Sequence, residues 1–129
     1  MPPSSMKTKP SASISETTLN NSETIVTDAV TGGMKGVKPS RVHAIPYEAI
    51  TELGKVYGYG EDKYHDYNFR RGYRWSFSYD AMQRHIYAFW NREDRDGESG
   101  LHHMAHAAWH CLTLMFFSLT NRGTDDRPT

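Results

Sequence analysis

Four of the seven histidines of this 129-residue chain fall within nine positions, in the stretch GESGLHHMAHAAWHC at 97–111, directly after the acidic residues Glu93, Asp94 and Asp96. Imidazole nitrogens and carboxylate oxygens are the donors that a borderline divalent cation accepts. On a helix, His102 with His106, His103 with His106, and His106 with His110 are three or four positions apart, hence neighbours. Together with Glu93, Asp96 and Glu98 they point to a bound divalent ion that could bridge phosphate oxygens or acidify a water. His102 and His110 are expected to be supporting or ordinary surface residues, because a small site seldom uses four imidazoles. The competing reading is a solvated histidine face beside an exposed acidic loop.

The chemistry needs a scaffold, and the periodicity supplies one. At about 100° per residue, Leu101, Met104, Ala105, Ala108, Cys111, Leu112, Met115 and Phe116 share one side of a helix over 101–119, and the four histidines share the other. A second helix over 76–91 puts Tyr79, Met82, Ile86, Phe89 and Trp90 on one face, with Ala81, Ala88, His85 and Arg92 beside them. These apolar stripes are expected to form the core. Antiparallel packing through them would open His85 and the His103/His106 face into one groove, with Arg84 and Arg92 at hand for anionic oxygens. A first helix follows Pro46 and carries Ile50, Leu53, Val56 and Tyr57, with a stop expected near Gly58 and Gly60. Between helices one and two, EDKYHDYNFRRGYRW interleaves aromatic and basic side chains in a way that suits stacking on a base; a short helical turn and a loop are expected there. No GxGxxG or GxxxxGK[ST] is present.

Residues 1–32 are rich in Ser, Thr, Asn and Pro and are expected to form a disordered arm. Residues 33–119 are the expected helical domain, beginning with an extended basic loop that carries Lys35, Lys38 and Arg41, and 120–129 a frayed polar tail. The fold class is all-α, a small domain of about three main helices. WHCLTLMFFSL is apolar nearly all round, more than three helices can cover, so a homo-oligomer is expected. Formal net charge is zero, which gives no basis for dedicated nucleic-acid binding. The single cysteine, Cys111, excludes an intramolecular disulfide and suits a reducing cytoplasm. There is no N-terminal apolar leader, and CLTLMFFSL is too short to span a membrane. A soluble cytoplasmic protein is expected.

In their order along the chain, GGMKGVKPSR, IPYEAITELGKVYGYGEDKY, YNFRRGYRWSFSYDAMQRHIYAFWNRED and DGESGLHHMAHAAWHCLTLM resemble a family found mostly in bacteriophage genomes, the dATP/dGTP diphosphohydrolases, over residues 32–115. The resemblance implies hydrolysis of a purine deoxynucleoside triphosphate to monophosphate and pyrophosphate with Mg²⁺ or Mn²⁺. It also implies likeness to helical pyrophosphohydrolases of the MazG kind, and work in the host cytoplasm. On that reading Glu93, Asp96, Glu98, His103 and His106 hold the metal or its water. His85, Glu93 and Arg84 are the candidate catalytic residues, His85 as general base. Lys38, Arg41 and Lys63 would join Arg84 in neutralising the triphosphate, while Tyr59, Tyr64 and Asn68 frame the base. The alternatives are a non-catalytic phage module that binds a nucleotide or a host protein, and a purely structural helical protein.

Overall fold

The computed structural model describes residues 14–18 and 22–129; for residues 14–18 only the backbone is described. Part of the expected N-terminal arm, residues 1–13 and 19–21, lies outside the described residues. The chain divides into two compact units, 1–44 and 45–129, each taken by itself below.

The first unit is a three-stranded antiparallel sheet in the order β1-β2-β3, made of β1 (Ile14–Thr18), β2 (Thr24–Asp28) and β3 (Met34–Val37). Ile14 pairs with Asp28 and Thr18 with Thr24 on one side of β2; Thr24 pairs with Val37 and Thr27 with Met34 on the other. Asp28 builds the β2–β3 turn, its Oδ1 accepting from the amides of Val30 at 2.8 Å and Thr31 at 2.9 Å. The expected helical fold class with three main helices holds, and the sheet is an addition to it: β1 and β2 lie where a disordered arm was expected, and β3 within the expected basic loop. The run TIVTD is made largely of β-branched residues that suit a pleated surface, and low overall hydrophobicity hid it.

The second unit holds the helices: α1 (Tyr47–Lys63), α2 (Trp75–Trp90) and α3 (His103–Thr120). A 3-10 turn over Asn68–Arg71 takes the place expected for a short helical turn. α1 runs through Gly58 and Gly60, past the expected stop. Each glycine costs a helix only about 1 kcal/mol, too little to end one anchored by Val56, which is 4% exposed.

α2 packs mainly on α3, and α3 also meets α1. Apart from the imidazoles, the buried residues of α2 and α3 are small or polar save one ring: Ser78, Ala105, Ala107, Thr113 and the fully buried Phe117. Here the expected orientation is reversed. Tyr79, Ile86 and Trp90 of the supposed α2 core stripe are exposed, as are Met104, Cys111, Leu112 and Met115 of the α3 stripe, whereas His103 and His106 are buried. Small side chains let the two backbones approach closely, and the imidazoles find polar partners in the seam, which removes the penalty for burying them.

The last residues are docked rather than frayed. Thr124 accepts from the Trp75 amide at 3.1 Å and donates its own amide to Tyr73 O at 3.2 Å. Gly72 and Gly123 both adopt positive φ, +86° and +71°, and a Cβ on Gly123 would strike the Tyr73 carbonyl oxygen. Only glycine allows this approach. The N-cap residue of α2, Arg74, contributes no side-chain cap. Asp126 does so from the tail, its Oδ1 accepting the Ser76 amide at 3.0 Å and its Oδ2 the Ser76 hydroxyl at 2.5 Å. Among the described residues no helix is long and apolar enough to cross a membrane.

Candidate metal centre and nucleotide cleft

His103 sits in the first turn of α3, where His102 caps the helix by accepting the Met104 amide on Nδ1 at 3.1 Å. This cap fixes where α3 begins and aims His103 at α2. His103 Nε2 lies 2.8 Å from Glu93 Oε2, and its Nδ1 lies 2.9 Å from His85 Nδ1 on α2. An ionised carboxylate only accepts, so Nε2 of His103 carries the proton, and its Nδ1 lone pair accepts from His85 Nδ1–H or, with that hydrogen displaced, faces an ion.

Asp96 comes from the connector between α2 and α3. His85, Asp96 and His103 each offer one ligand atom, and these atoms all lie within 4.8 Å of one another. Donors in cis positions around an ion with metal–nitrogen bonds of about 2.1 Å stand about 3.0 Å apart at 90°. The 2.9 Å between His85 and His103 fits that spacing. Two imidazoles and one carboxylate fit a borderline ion such as Mn²⁺ better than Mg²⁺, which prefers oxygen alone.

Electrostatics favour the ligand-ready form of the imidazoles. Burial lowers the His85 pKa to about 4, with the nearby His106 and His103 adding to it. His110 is lowered to about 4 by burial and by His85 and His106, and burial also depresses His106. Neutral imidazoles keep the lone pair that a cation or a proton needs. For Asp96, burial works against the charge. The amide and hydroxyl of Ser99 outweigh it and hold the carboxyl below its ordinary range, helped by the Glu98 amide and by His106.

A cleft of about 750 Å³ opens beside this cluster within the helical unit. Its other wall is aromatic, with Tyr57, Phe69 and Trp109 set edge to face or tilted at 5.8–5.9 Å between centroids. Deeper, Ser78 Oγ lies 2.9 Å from His110 Nδ1 and 2.5 Å from Tyr73 OH.

The residues singled out from sequence divide as follows. His85, Asp96 and His103 converge. Glu93 backs His103, and its side chain is 57% exposed. Glu98 turns to Lys63 at 3.8 Å and to Tyr59 OH at 3.5 Å, and His106 pairs with Ser99 Oγ at 2.7 Å. Arg84, Tyr59, Lys63, Tyr64 and Asn68 all line the cleft. The Lys63 ammonium lies 5.9 Å from the Tyr59 ring centroid and 5.4 Å from that of Tyr64; charge interactions with Tyr64, Tyr59 and Glu98 raise its pKa. Lys38 and Arg41 belong to the N-terminal unit, where both are exposed. Ser99, Ser78 and Tyr73 were not singled out from sequence. Isolated Ser and Tyr carry no spacing signal, although Ser99 sits three residues after Asp96, the reach of a local side-chain turn.

A helical unit with a partly buried histidine–carboxylate cluster in the wall of an aromatic cleft is the class that the fold and the site define. The chain belongs to the family described as dATP/dGTP diphosphohydrolase, N-terminal, whose sequence pattern matches residues 29–127. It is 40% identical over 75 residues to the dATP/dGTP diphosphohydrolase of Salmonella phage PMBT28, a match that takes in 58% of this chain and 25% of that protein. The chain thus spans a quarter of the length of the curated relative. No solved structure matches it.

Proposed function

We propose that the helical unit hydrolyses a purine deoxynucleoside triphosphate, dATP or dGTP, to the monophosphate and pyrophosphate with a divalent ion, Mn²⁺ before Mg²⁺. The observation that carries this reading is the convergence of His85, Asp96 and His103 in the wall of a cleft with room for a nucleotide. The family and its phage relative, named for this activity, support the substrate class.

His85, Asp96 and His103 would hold the ion, which when bound supplies polarisation of phosphate oxygens and of a water. Glu93 keeps His103 in the tautomer that ligates. Neutral His106, beside this set, is able to take the proton as water oxygen bonds to phosphorus and the α–β phosphoanhydride bond breaks. Lys63 and Arg84 line the same cleft and neutralise the charge that gathers on the departing pyrophosphate. Tyr59, Tyr64 and Asn68 offer ring faces and an amide to the base.

A second reading is a non-catalytic nucleotide-binding module. It is favoured by the quarter-length match, which leaves most of the phage relative outside the comparison. Incubating the full chain with dATP or dGTP and Mn²⁺ or Mg²⁺, and assaying pyrophosphate, decides between them. Release of pyrophosphate with the matching monophosphate supports hydrolysis. No release from any pair rejects it, and calorimetric binding of an intact nucleotide would then favour the module.

A further inference from the structure

Ser99 joins two of the chemical groups of the site without belonging to either set. Its hydroxyl oxygen lies 3.0 Å from Asp96 Oδ2 and 2.7 Å from His106 Nε2, and it accepts the Leu101 amide at 3.2 Å. Its own amide donates to Asp96 Oδ2 at 3.1 Å. A hydroxyl has one hydrogen and two lone pairs. The Asp96 carboxylate can only accept, so the single hydrogen must point at Asp96; otherwise two oxygen lone pairs would face each other at 3.0 Å. One lone pair of Ser99 is then taken by the Leu101 amide. The other faces His106 Nε2, which has to donate.

We propose that Ser99 is a positioning residue: through its hydroxyl, Asp96 fixes buried His106 as the Nε2–H tautomer, leaving Nδ1 as the atom with the free lone pair. Asp96 thereby serves two partners, the ion directly and His106 through one hydroxyl, as Glu93 serves His103 without an intermediary. The ring has little freedom to escape this assignment. It is 8% exposed and stacks on His85 at 4.5 Å with 5° between planes, so neither a rotation nor a water easily replaces the serine. That Nδ1 receives the proton of the attacking water rests on the function proposed above; the tautomer itself does not.

Long-range ¹⁵N–¹H NMR of the labelled full chain, free of metal and nucleotide at about pH 8, reads the tautomer, with the His106 signals assigned from their loss in His106→Gln. A single Nε2–H form is expected in the native sequence, a mixture of tautomers in Ser99→Ala, and return of the single form in Ser99→Thr, which keeps the hydroxyl. Finding His106 as Nδ1–H in the native chain overturns the proposal, as does an unchanged single tautomer in Ser99→Ala. The native and Ser99→Thr spectra decide the matter even where Ser99→Ala folds poorly. In the pyrophosphate assay, Ser99→Ala is expected to lower kcat roughly 10- to 100-fold with little change in KM, the usual effect of removing a group that orients a reacting one. An equal rise in KM at unchanged kcat would count against a positioning role. Absence of hydrolysis in every sample would reject the enzymatic reading and leave the tautomer result standing.

Discussion

The imidazoles of His85 and His106 lie face to face, 4.5 Å apart and within 5° of parallel. Like charges at that distance repel, so His106 adds to the burial that disfavours protonation of His85, while burial, with His103 adding to it, disfavours that of His106. The seam between α2 and α3 is therefore a reservoir of uncharged nitrogen at neutral pH, and several consequences can be measured.

Metal binding should depend on His85 and His103 together. Mn²⁺ is expected to raise the melting temperature of the native chain, since an ion that prefers the folded state stabilises it. His85→Ala and His103→Ala should abolish that rise, while Glu93→Gln weakens Mn²⁺ affinity on the order of 10- to 100-fold by removing the partner that orients His103. Calorimetry checks this; an undiminished response in His103→Ala would remove the site.

Acid should destabilise the metal-free protein. The folded pKa values of His85 and His110 are about 4 against an ordinary value of 6.5. Between those values the unfolded chain binds more protons than the folded one, so stability is full above about pH 6.5 and falls as the pH drops towards 4. Thermal melts from pH 7.5 to 4.5 in the presence of a chelator should show the decline, and His110→Asn should make it shallower. A flat profile across this window would contradict the buried neutral cluster.

The tail should matter to α2. Asp126→Ala removes both acceptors at Ser76, and loss of an N-cap costs about 1 kcal/mol. For a unit of this size that is roughly 4–8 °C in melting temperature. Asp126→Asn, which retains an oxygen acceptor, should recover part of it. Differential scanning calorimetry reads the comparison, and equal melting temperatures for native chain and Asp126→Ala would show that the cap contributes nothing.

The outward apolar stripe calls for a cover. Leu112 is 41% exposed, Met115 55% and Leu119 77%, and all three lie on α3. Self-association through this face is expected at micromolar concentration in sedimentation, with Met115→Glu shifting the protein towards monomer. A monomeric native chain would overturn it.

Three helices and their approximate limits were legible because Pro46, the apolar periods and the connector at 91–100 are strong local signals. The facing of the helices was not. Periodicity ranks positions by hydrophobicity, and it placed Leu112, Met115 and Ile86 inside. The chain instead buries Ser78 of α2 and Ala105 and Ala107 of α3, whose value lies in small size rather than in apolar area. Ala81 and Ala88 beside His85 were the visible hint of such a close approach. For the site, the types at 85, 93, 96, 103 and 106 could be read as donors. Which three converge depends on the connector's turn, where Asp96 accepts from the Ser99 amide and donates its own amide to Leu101 O at 2.8 Å. No spacing rule encodes that turn. The sheet was missed because its backbone ladder gives no contrast between inner and outer faces in so polar a sequence.

Because the acceptor that completes the first turn of α2 is Asp126, fifty residues downstream of Ser76, a chain emerging from the ribosome presents its second helix with a frayed start until residue 126 has followed. The partners of His85, supplied by α3, are equally late. Docking of 122–126 then completes the start of α2 about 2.5–10 seconds after Ser76 is made, at an elongation rate of about 5–20 residues per second.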